Sequence, residues 1–208
     1  MTVFNKLQKF SSTIIKTLVL TTVLSSLGGC AALVVGGVMA GGVMVATDRR
    51  SSGSQLNDEG IEIRSVNRLK EKFGERGNFT VTSYNGRVLL TGEVAGNSDK
   101  LVAEQLVFQV ENVKLVLNEL TIAGSTSTLK ERSNDTFITS RVKASLIEEK
   151  ELSSNAFKVV TERGVVYLMG RVTQREAALG TEIARSVSGV VKVVRSFEII
   201  SEEEAKQK

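Results

Sequence analysis

The chain has 208 residues, with 27 lysines and arginines, 23 aspartates and glutamates, no histidine and one cysteine. Without histidine, the chain lacks both the side chain that most often transfers protons in catalysis and the commonest metal ligand, the imidazole ring. Three lysines precede residue 30, so residues 30–208 carry 24 basic and 23 acidic residues, a net charge of +1. With no basic arm and no aromatics interleaved with arginine, this balance argues against a nucleic-acid partner.

Residues 1–29 have the pattern of a lipoprotein signal peptide. The only charges before Cys30 are three lysines, and the apolar run Thr17–Leu27 follows them, which gives a basic region and then a short hydrophobic region. Leu27, two glycines and Cys30 then form the pattern that a lipoprotein signal peptidase recognises. The sequence predicts cleavage before Cys30 and attachment of lipid to its thiol.

Two other interpretations of this region stay open. Cys30 could be a lone buried cysteine, because free cysteine is common in apolar interiors. The 31 residues between Lys16 and Asp48 carry no charge and are long enough to span a bilayer. Serines and six glycines interrupt that stretch, however, which disfavours one continuous spanning helix.

Residues 30–56 are predicted to form a tether and a linker. The stretch 31–46 is too rich in glycine for a stable helix alone and too apolar for a simple flexible linker, so we expect it near the membrane surface. Gly37 and Gly41 have the GxxxG spacing of a packing motif, although glycine-rich composition also explains it. Arg49 and Arg50 are interpreted as solvated linker charges, with contact to lipid phosphates as the alternative.

The rest of the chain contains one unit twice. Phe79–Gly92 aligns without a gap on Phe157–Gly170 at an offset of 78 residues, and flanking positions match at an offset of 77. Each unit has about 65 residues, near the lower limit for folding alone. The predicted segments are a first domain at 57–124, a linker at 125–133, a second domain at 134–200 and a disordered acidic tail at 201–208.

Each unit is predicted to run helix, hairpin, helix, strand. Asn85-Gly86 between two alternating runs is a strong hairpin signal, and Arg163-Gly164 holds the same place in the second unit. A capping box, Thr173 to Glu176, opens the second helix of the second unit. Alternation assigns one face of each hairpin to the core: Phe79, Val81, Val88 and Leu90, and Phe157, Val159, Val166 and Leu168.

The doubled pattern resembles BON domains. The resemblance rests on the two hairpin turns, on the closing glycines Gly92 and Gly170, and on the Val-Ser-Gly-Val of Val187–Val190. It covers nearly all of the chain after Cys30. It implies an α+β protein with two tandem αββαβ domains, each a small three-stranded sheet with two helices on one face.

The resemblance also carries functional expectations. Two BON units behind a lipobox resemble outer-membrane lipoproteins, which implies a periplasm-facing lipid anchor, binding of anionic phospholipid and support of outer-membrane integrity. The residue after Cys30 is Ala31 rather than aspartate, which implies transfer to the outer membrane. The first unit has Glu111–Val113 where the second has Ser188–Val190, so ligand binding is expected mainly of the second unit.

Both hairpins have a second face that the predicted helices leave open. In the first unit this face carries Thr82, Tyr84, Arg87, Leu89 and Thr91. In the second unit it carries Val160, Glu162, Val165, Tyr167 and Met169. The second set is too apolar to face water, so we predict that the first unit covers it.

Charge distinguishes the two units. Residues 57–124 hold 8 basic and 10 acidic residues, whereas residues 134–200 hold 10 basic and 8 acidic residues. Only the second is suited to an anionic surface, and its first helix is predicted to bind phospholipid through Phe137, Ile138, Arg141 and Lys143. In the alternative, Phe137 packs between domains and the cations are solvated. A rival function is a lipid-anchored adaptor that binds an envelope assembly protein.

No motif for catalysis is present. No GxSxG elbow or SxxK sequence stands at a strand–helix junction. The acidic residues of Glu148–Glu151 lack the alternating ligand spacing of a calcium loop, which favours a solvated helix end over a calcium site. The sequence therefore predicts a non-enzymatic protein without a metal or other cofactor.

Overall fold

The computed structural model describes residues 48–122 and 129–206. The predicted signal peptide, Cys30 and the glycine-rich tether lie outside the described residues. The first domain is built from six elements: α1 Ser52–Phe73, β1 Asn78–Tyr84, β2 Arg87–Val94, α2 Asn97–Phe108, β3 Leu115–Asn118 and β4 Thr121–Ile122. The second domain has a short 3-10 turn, Ser154–Ala156, and five main elements: α3 Leu129–Glu148, β5 Phe157–Glu162, β6 Val165–Val172, α4 Gln174–Ser186 and β7 Lys192–Ile199.

Each domain is a small mixed sheet with helices, as predicted. β1 and β2 form an antiparallel hairpin, and β3 adds in parallel to β2; β5, β6 and β7 repeat this order. The predicted α+β class with two tandem αββαβ units is confirmed. The two sheets differ in their last strand, since β7 is continuous whereas its counterpart breaks into β3 and β4, both paired with β2.

The predicted core faces are confirmed. In the first domain, Val81, Val88 and Leu90 pack against α1 and α2 in one apolar cluster, and Phe79 packs at its edge. In the second, all four predicted core residues of the hairpin belong to the equivalent cluster. Both helices of each domain contribute to its cluster, so they cover the same face of the sheet.

The other faces of the two sheets pack against each other. Tyr84 and Leu89 of the first domain form a buried cluster with Tyr167 and Met169 of the second. Tyr167 is 4% exposed and Met169 is fully buried. The prediction that the first unit covers the apolar face of the second is therefore confirmed, and the layers run helices, sheet, sheet, helices.

Three predicted coil segments are wrong in part. The linker before the first domain is helical from Ser52, because the Ser51 side chain caps the helix by accepting a hydrogen bond from the Ser54 N–H. The linker between the domains is helical from Leu129. The tail forms a short helix, α5 Glu202–Lys206, which Ser201 caps and which Glu204 joins to Arg171 of β6.

The lengths and hydropathy of the helices show whether any of them could span a membrane. Within 48–122 and 129–206, none of the helices combines the length and the apolar character needed to cross a bilayer.

Candidate functional site

A buried aspartate holds each hairpin turn against the first helix of its domain. The Asp58 carboxylate accepts hydrogen bonds from the backbone N–H groups of Asn85, at 2.6 Å, and Gly86, at 2.8 Å. Asp135 does the same for Arg163, at 2.7 Å, and Gly164, at 2.8 Å. The turns need this support because Asn85 and Arg163 both have positive φ, 52° and 51°, which costs energy in a non-glycine residue. Asp135 thereby fixes the first half of helix α3 to the turn between β5 and β6.

The environment of Asp58 is reflected in its acidity. Burial alone would raise the pKa of Asp58, but hydrogen bonds from the Ser83 hydroxyl, the two turn amides and Arg50 outweigh it and lower the pKa below its usual value. The carboxylate is therefore charged at neutral pH and belongs to the structure of the turn. Because its oxygens already accept these hydrogen bonds, the Asp58 carboxylate is not a candidate for binding a ligand at the surface.

The predicted phospholipid-binding residues divide between surface and core. Phe137 is 59% exposed, and the Arg141 guanidinium lies over its ring at 4.8 Å from the centroid. Lys143 is exposed on the same helix. Ile138 is only 1% exposed and packs in the domain core near Gly189. Its prediction as a binding residue is wrong, because it faces the sheet at helical spacing with Val142.

The same helix exposes a further apolar side chain that sequence reasoning missed. Ile147 is 68% exposed, and Val191, beside the Gly164 turn, is 78% exposed. The signal for Ile147 was its helical position: nine residues after Ile138, it lies about 180° around α3 from that inward side chain at 100° per residue. Helix α3 therefore offers an aromatic, an aliphatic and two cations on its outer side.

The matching helix of the first domain lacks this arrangement. At the offset of 77, Gly60 stands where the second domain has Phe137, and Val66 stands where it has Lys143. The Arg64 guanidinium occupies the space that a side chain at position 60 would fill, at 2.9 Å from the ideal Cβ position. It also donates a hydrogen bond of 3.5 Å to the Glu111 carbonyl. The aromatic and one cation are thus confined to α3.

The departure of the first unit from the Val-Ser-Gly-Val pattern leaves the backbone unchanged. Asn112 adopts φ 68° where Gly189 of the second unit has φ 96°. Asparagine tolerates the left-handed region better than most side chains. What differs between the two corners is therefore the side chain presented, not the fold.

The two arginines that follow the tether are neither solvated nor free to meet lipid phosphate. Arg49 forms a bidentate pair with Glu176 at 2.7 and 2.9 Å, and donates to the Arg171 carbonyl of the second domain. Arg50 pairs with Asp58 of the first domain at 2.8 Å. Both sequence interpretations are wrong here, because distant acidic partners lie within reach only after folding.

The Arg49 pair changes the acidity of its partner. Burial would raise the pKa of Glu176, but the hydrogen bonds from Arg49 and from the Thr173 N–H outweigh burial and lower it. Glu176 is also the second member of the predicted capping box of α4, which is confirmed. The segment just before α1 is thus bound to both domains, through Arg49 and Arg50.

Polar contacts add to the apolar cluster between the domains. Arg163 pairs with the buried carboxylate of Glu93 at 2.7 Å, and Lys158 pairs with Glu62 at 3.1 Å. Glu93 is the first cause of the raised pKa of Arg163. These pairs place charges from both domains at the border of the interface and set its orientation.

Across 48–122 and 129–206, no three histidine, cysteine, aspartate or glutamate side chains gather as metal ligands would. In the acidic segment after α3, Glu149 accepts a hydrogen bond from the Glu151 N–H, and Glu151 pairs with Arg175 at 3.2 Å. These carboxylates belong to an exposed helix end.

Comparison with known proteins assigns the family. Residues 57–124 and 134–201 match the BON domain. The chain is 38% identical over 176 residues to the outer membrane lipoprotein DolP of Haemophilus influenzae, which spans 84% of this chain and 90% of that protein. It is 34% identical over 150 residues to a 21 kDa hemolysin of Actinobacillus pleuropneumoniae, over 71% of this chain and 77% of that protein.

A solved structure is also similar in outline. The C-terminal domain of CdsD, a structural protein of the type III secretion system of Chlamydia trachomatis, covers 67% of this chain and 97% of its own length, with 12% identity and a TM-score of 0.29. Likeness at that level carries no argument about this chain. The relationship to the outer membrane lipoprotein DolP does, and it confirms the predicted outer-membrane, lipid-anchored location. The chain belongs to the BON-domain family, as an outer-membrane lipoprotein with two BON domains that is similar to DolP.

Proposed function

We propose that this protein is a non-enzymatic lipoprotein whose second BON domain binds anionic phospholipid through Phe137, Arg141 and Lys143, and so supports outer-membrane integrity. The observation that carries the proposal is the exposed aromatic ring of Phe137 with Arg141 stacked on it. A large apolar side chain flanked by cations suits a headgroup layer, where the ring enters the apolar boundary and the cations meet phosphates.

Charge and anchoring support the same choice. The second domain has two more basic than acidic residues within 134–200, and the first domain has two fewer within 57–124. Each surface cation contributes about 1 kcal/mol against an anionic leaflet. Because lipid on Cys30 already holds the chain at a membrane, weak contacts through α3 act at high effective concentration.

The test is vesicle flotation with a fragment that carries no lipid. The fragment starts at Thr47 so that it keeps Arg49 and Arg50, which bind both domains. We expect it to float with phosphatidylglycerol-containing vesicles, to ignore phosphatidylcholine vesicles, and to be released by salt, because exposed charges are screened beyond about 8 Å at physiological ionic strength.

Matched variants locate the binding surface. Phe137→Ala should weaken vesicle binding about tenfold or more, since an inserted aromatic contributes about 1–3 kcal/mol. Phe108→Ala is the control, because Phe108 of the first domain is 58% exposed and Phe137 is 59% exposed. Arg141→Glu with Lys143→Glu should abolish binding, whereas Lys70→Glu with Lys72→Glu should have little effect.

The outcomes separate the proposal from its rival. Equal binding by all four variants, with thermal unfolding unchanged, would remove α3 as the lipid-binding surface. A wild-type fragment that ignores anionic vesicles but retains an envelope assembly protein would favour the adaptor function instead.

A further inference from the structure

The outer edge of strand β5 is a second candidate binding site, separate from the lipid-binding surface. β5 pairs with β6 on one side only, so its other side is a sheet edge. In an antiparallel hairpin, alternate residues direct their N–H and C=O groups away from the partner strand. The register Glu162↔Val165 and Val160↔Tyr167 across the turn leaves the backbone groups of Val159 and Thr161 directed outward.

The equivalent edge of the first domain is capped by side chains at one position, Ser83. Ser83 of β1 is the counterpart of Thr161 at the offset of 78. Its outward N–H donates to the Glu62 carboxylate at 2.7 Å, and its outward carbonyl accepts from the Lys158 ammonium at 3.1 Å. This confirms the outward direction of that position and leaves no free pairing groups there.

The second domain leaves its edge open. The counterpart of Glu62 at the offset of 77 is Thr139. Threonine is too short to reach the strand backbone, and its hydroxyl instead donates to the Thr161 hydroxyl at 2.7 Å. Among residues 48–122 and 129–206, no side chain hydrogen-bonds to the backbone of Val159 or Thr161. An open strand edge is a template for pairing with another extended chain.

The surroundings of this edge form a groove. Helix α3 lies along it, and Thr136, Ser140 and Lys143 face the strand across the open space. Two carboxylates line the groove: Asp135 is committed to the turn amides, and Glu162 lies close enough to the Arg163 guanidinium to help raise its pKa. Lys143 and Arg132 form no ion pair within the described part of the chain. The charge left for a ligand is therefore positive, and the backbone groups require alternating donors and acceptors.

We propose that this groove binds an extended acidic segment of a partner polypeptide, which adds to the sheet as a strand antiparallel or parallel to β5. The backbone of the segment would satisfy the outward N–H and C=O groups of Val159 and Thr161, as in other cases of strand addition. Acidic side chains on the segment would meet Lys143 and Arg132. Lipid headgroups do not supply the repeating donor–acceptor pattern that the edge presents.

The experiment uses the mature lipoprotein in detergent micelles and a fluorescent, terminally blocked peptide that alternates valine with aspartate and threonine. Binding is followed by anisotropy, and hydrogen exchange with mass spectrometry locates the protected amides. We expect saturable binding and new protection in 157–162, with none in 78–84 or 192–199. A peptide N-methylated on the amides facing the edge should bind about tenfold more weakly, because each methyl removes a hydrogen bond and clashes with β5.

Two substitutions copy the closed edge of the first domain. Thr139→Glu places a carboxylate where Glu62 stands, and Thr139→Gln places a neutral amide there, whose carbonyl oxygen can accept the same hydrogen bond. Each should weaken peptide binding about tenfold while thermal stability is kept, and Thr139→Ser should bind as the wild type does. Vesicle flotation of Thr139→Gln should be unchanged, whereas Phe137→Ala should lose vesicles and keep the peptide, so the two proposals fail separately.

Several results would overturn the inference. Absence of peptide binding, insensitivity to N-methylation, wild-type affinity in the Thr139→Glu and Thr139→Gln variants, or protection at 192–199 instead of 157–162 each contradicts it. Self-association that Thr139→Gln abolishes would assign the edge to a second copy of the chain.

Discussion

The two domains have the same framework and different surfaces. Each keeps a buried aspartate on its hairpin turn, Asp58 or Asp135, and each directs equivalent apolar residues into its core. On the first helix, however, Gly60 of one domain corresponds to Phe137 of the other. The residues that hold the fold are therefore alike in the two domains, whereas exposed positions differ.

The divergence includes the sheet edges. Glu62 closes the edge of β1, and its counterpart Thr139 leaves that of β5 open. The last strand of the first sheet is broken after Asn118, whose side chain accepts a hydrogen bond from the Leu120 N–H at 3.2 Å. The first domain thus has a shorter last strand, and the one aromatic of its first helix, Phe73, is buried in the core.

The largest effect is expected at the contact between the domains. Tyr167→Asp should destabilise the folded pair by about 3–5 kcal/mol, because it places an unpaired charge in a buried apolar cluster. The measurement is the free energy of unfolding from urea denaturation. Val191→Asp is the control, since Val191 is 78% exposed and its change should cost about 0.5 kcal/mol or less. Similar losses in both variants would mean that the sheets do not pack face to face.

A smaller effect sharpens the comparison of the two turns. Asp58→Ala should cost about 3 kcal/mol and Asp135→Ala about 2 kcal/mol, because both leave two turn amides without a partner. Asp58 is expected to cost more since it also accepts from the Ser83 hydroxyl and pairs with Arg50. Urea unfolding of the two variants measures the difference. If Asp135→Ala proved the more damaging, the contribution of Arg50 to the first domain would be refuted.

The smallest effect uses the two tyrosines, which are the only ones in the chain and come one from each domain. Burial raises the pKa of Tyr84 to about 12 from 10.0, and burial followed by the nearby Glu119 charge raises that of Tyr167. A raised folded pKa means that stability is complete below pH 10 and is lost as the pH rises toward the folded values.

We therefore expect a loss of roughly 1 kcal/mol per tyrosine near pH 11. In a pH titration, tyrosinate absorbance should rise at the pH where the interface unfolds, above the ordinary tyrosine pKa of 10.0. Tyr84→Phe provides the control, because it should remove about half of the loss of folding stability at alkaline pH. Ionisation of both residues at pH 10 without unfolding would show that the faces are accessible to water.

Part of the candidate site was predictable from local pattern. Four-residue spacing puts Ile138 on the same face of α3 as the buried Val142, so periodicity alone argues against Ile138 as a binding residue. The sequence did not decide whether the Phe137 side chain faces solvent or packs against the other domain. Periodicity gives the direction of a side chain relative to its own sheet, but not whether another domain covers it.

The partners of Arg49 and Arg50 were beyond the reach of local pattern. Arg49 and Glu176 are 127 positions apart, and no spacing rule links a residue before the first helix to a capping residue of α4. The same holds for Glu62 and Ser83, whose contact closes one sheet edge. Such pairs depend on the packing of whole elements.

The sequence by itself determined the repeat, the hairpins, the core faces and the lipobox, because each is encoded by residues close together or by self-similarity at a constant offset. It also required that the apolar outer face of the second sheet be covered, since apolar area is driven out of water. Only the tertiary structure decided how the sheets pack, which arginines and lysines form ion pairs within the protein and which strand edge stays open. These depend on distances between residues far apart in the chain, and the free energies that set them arise only when the domains pack.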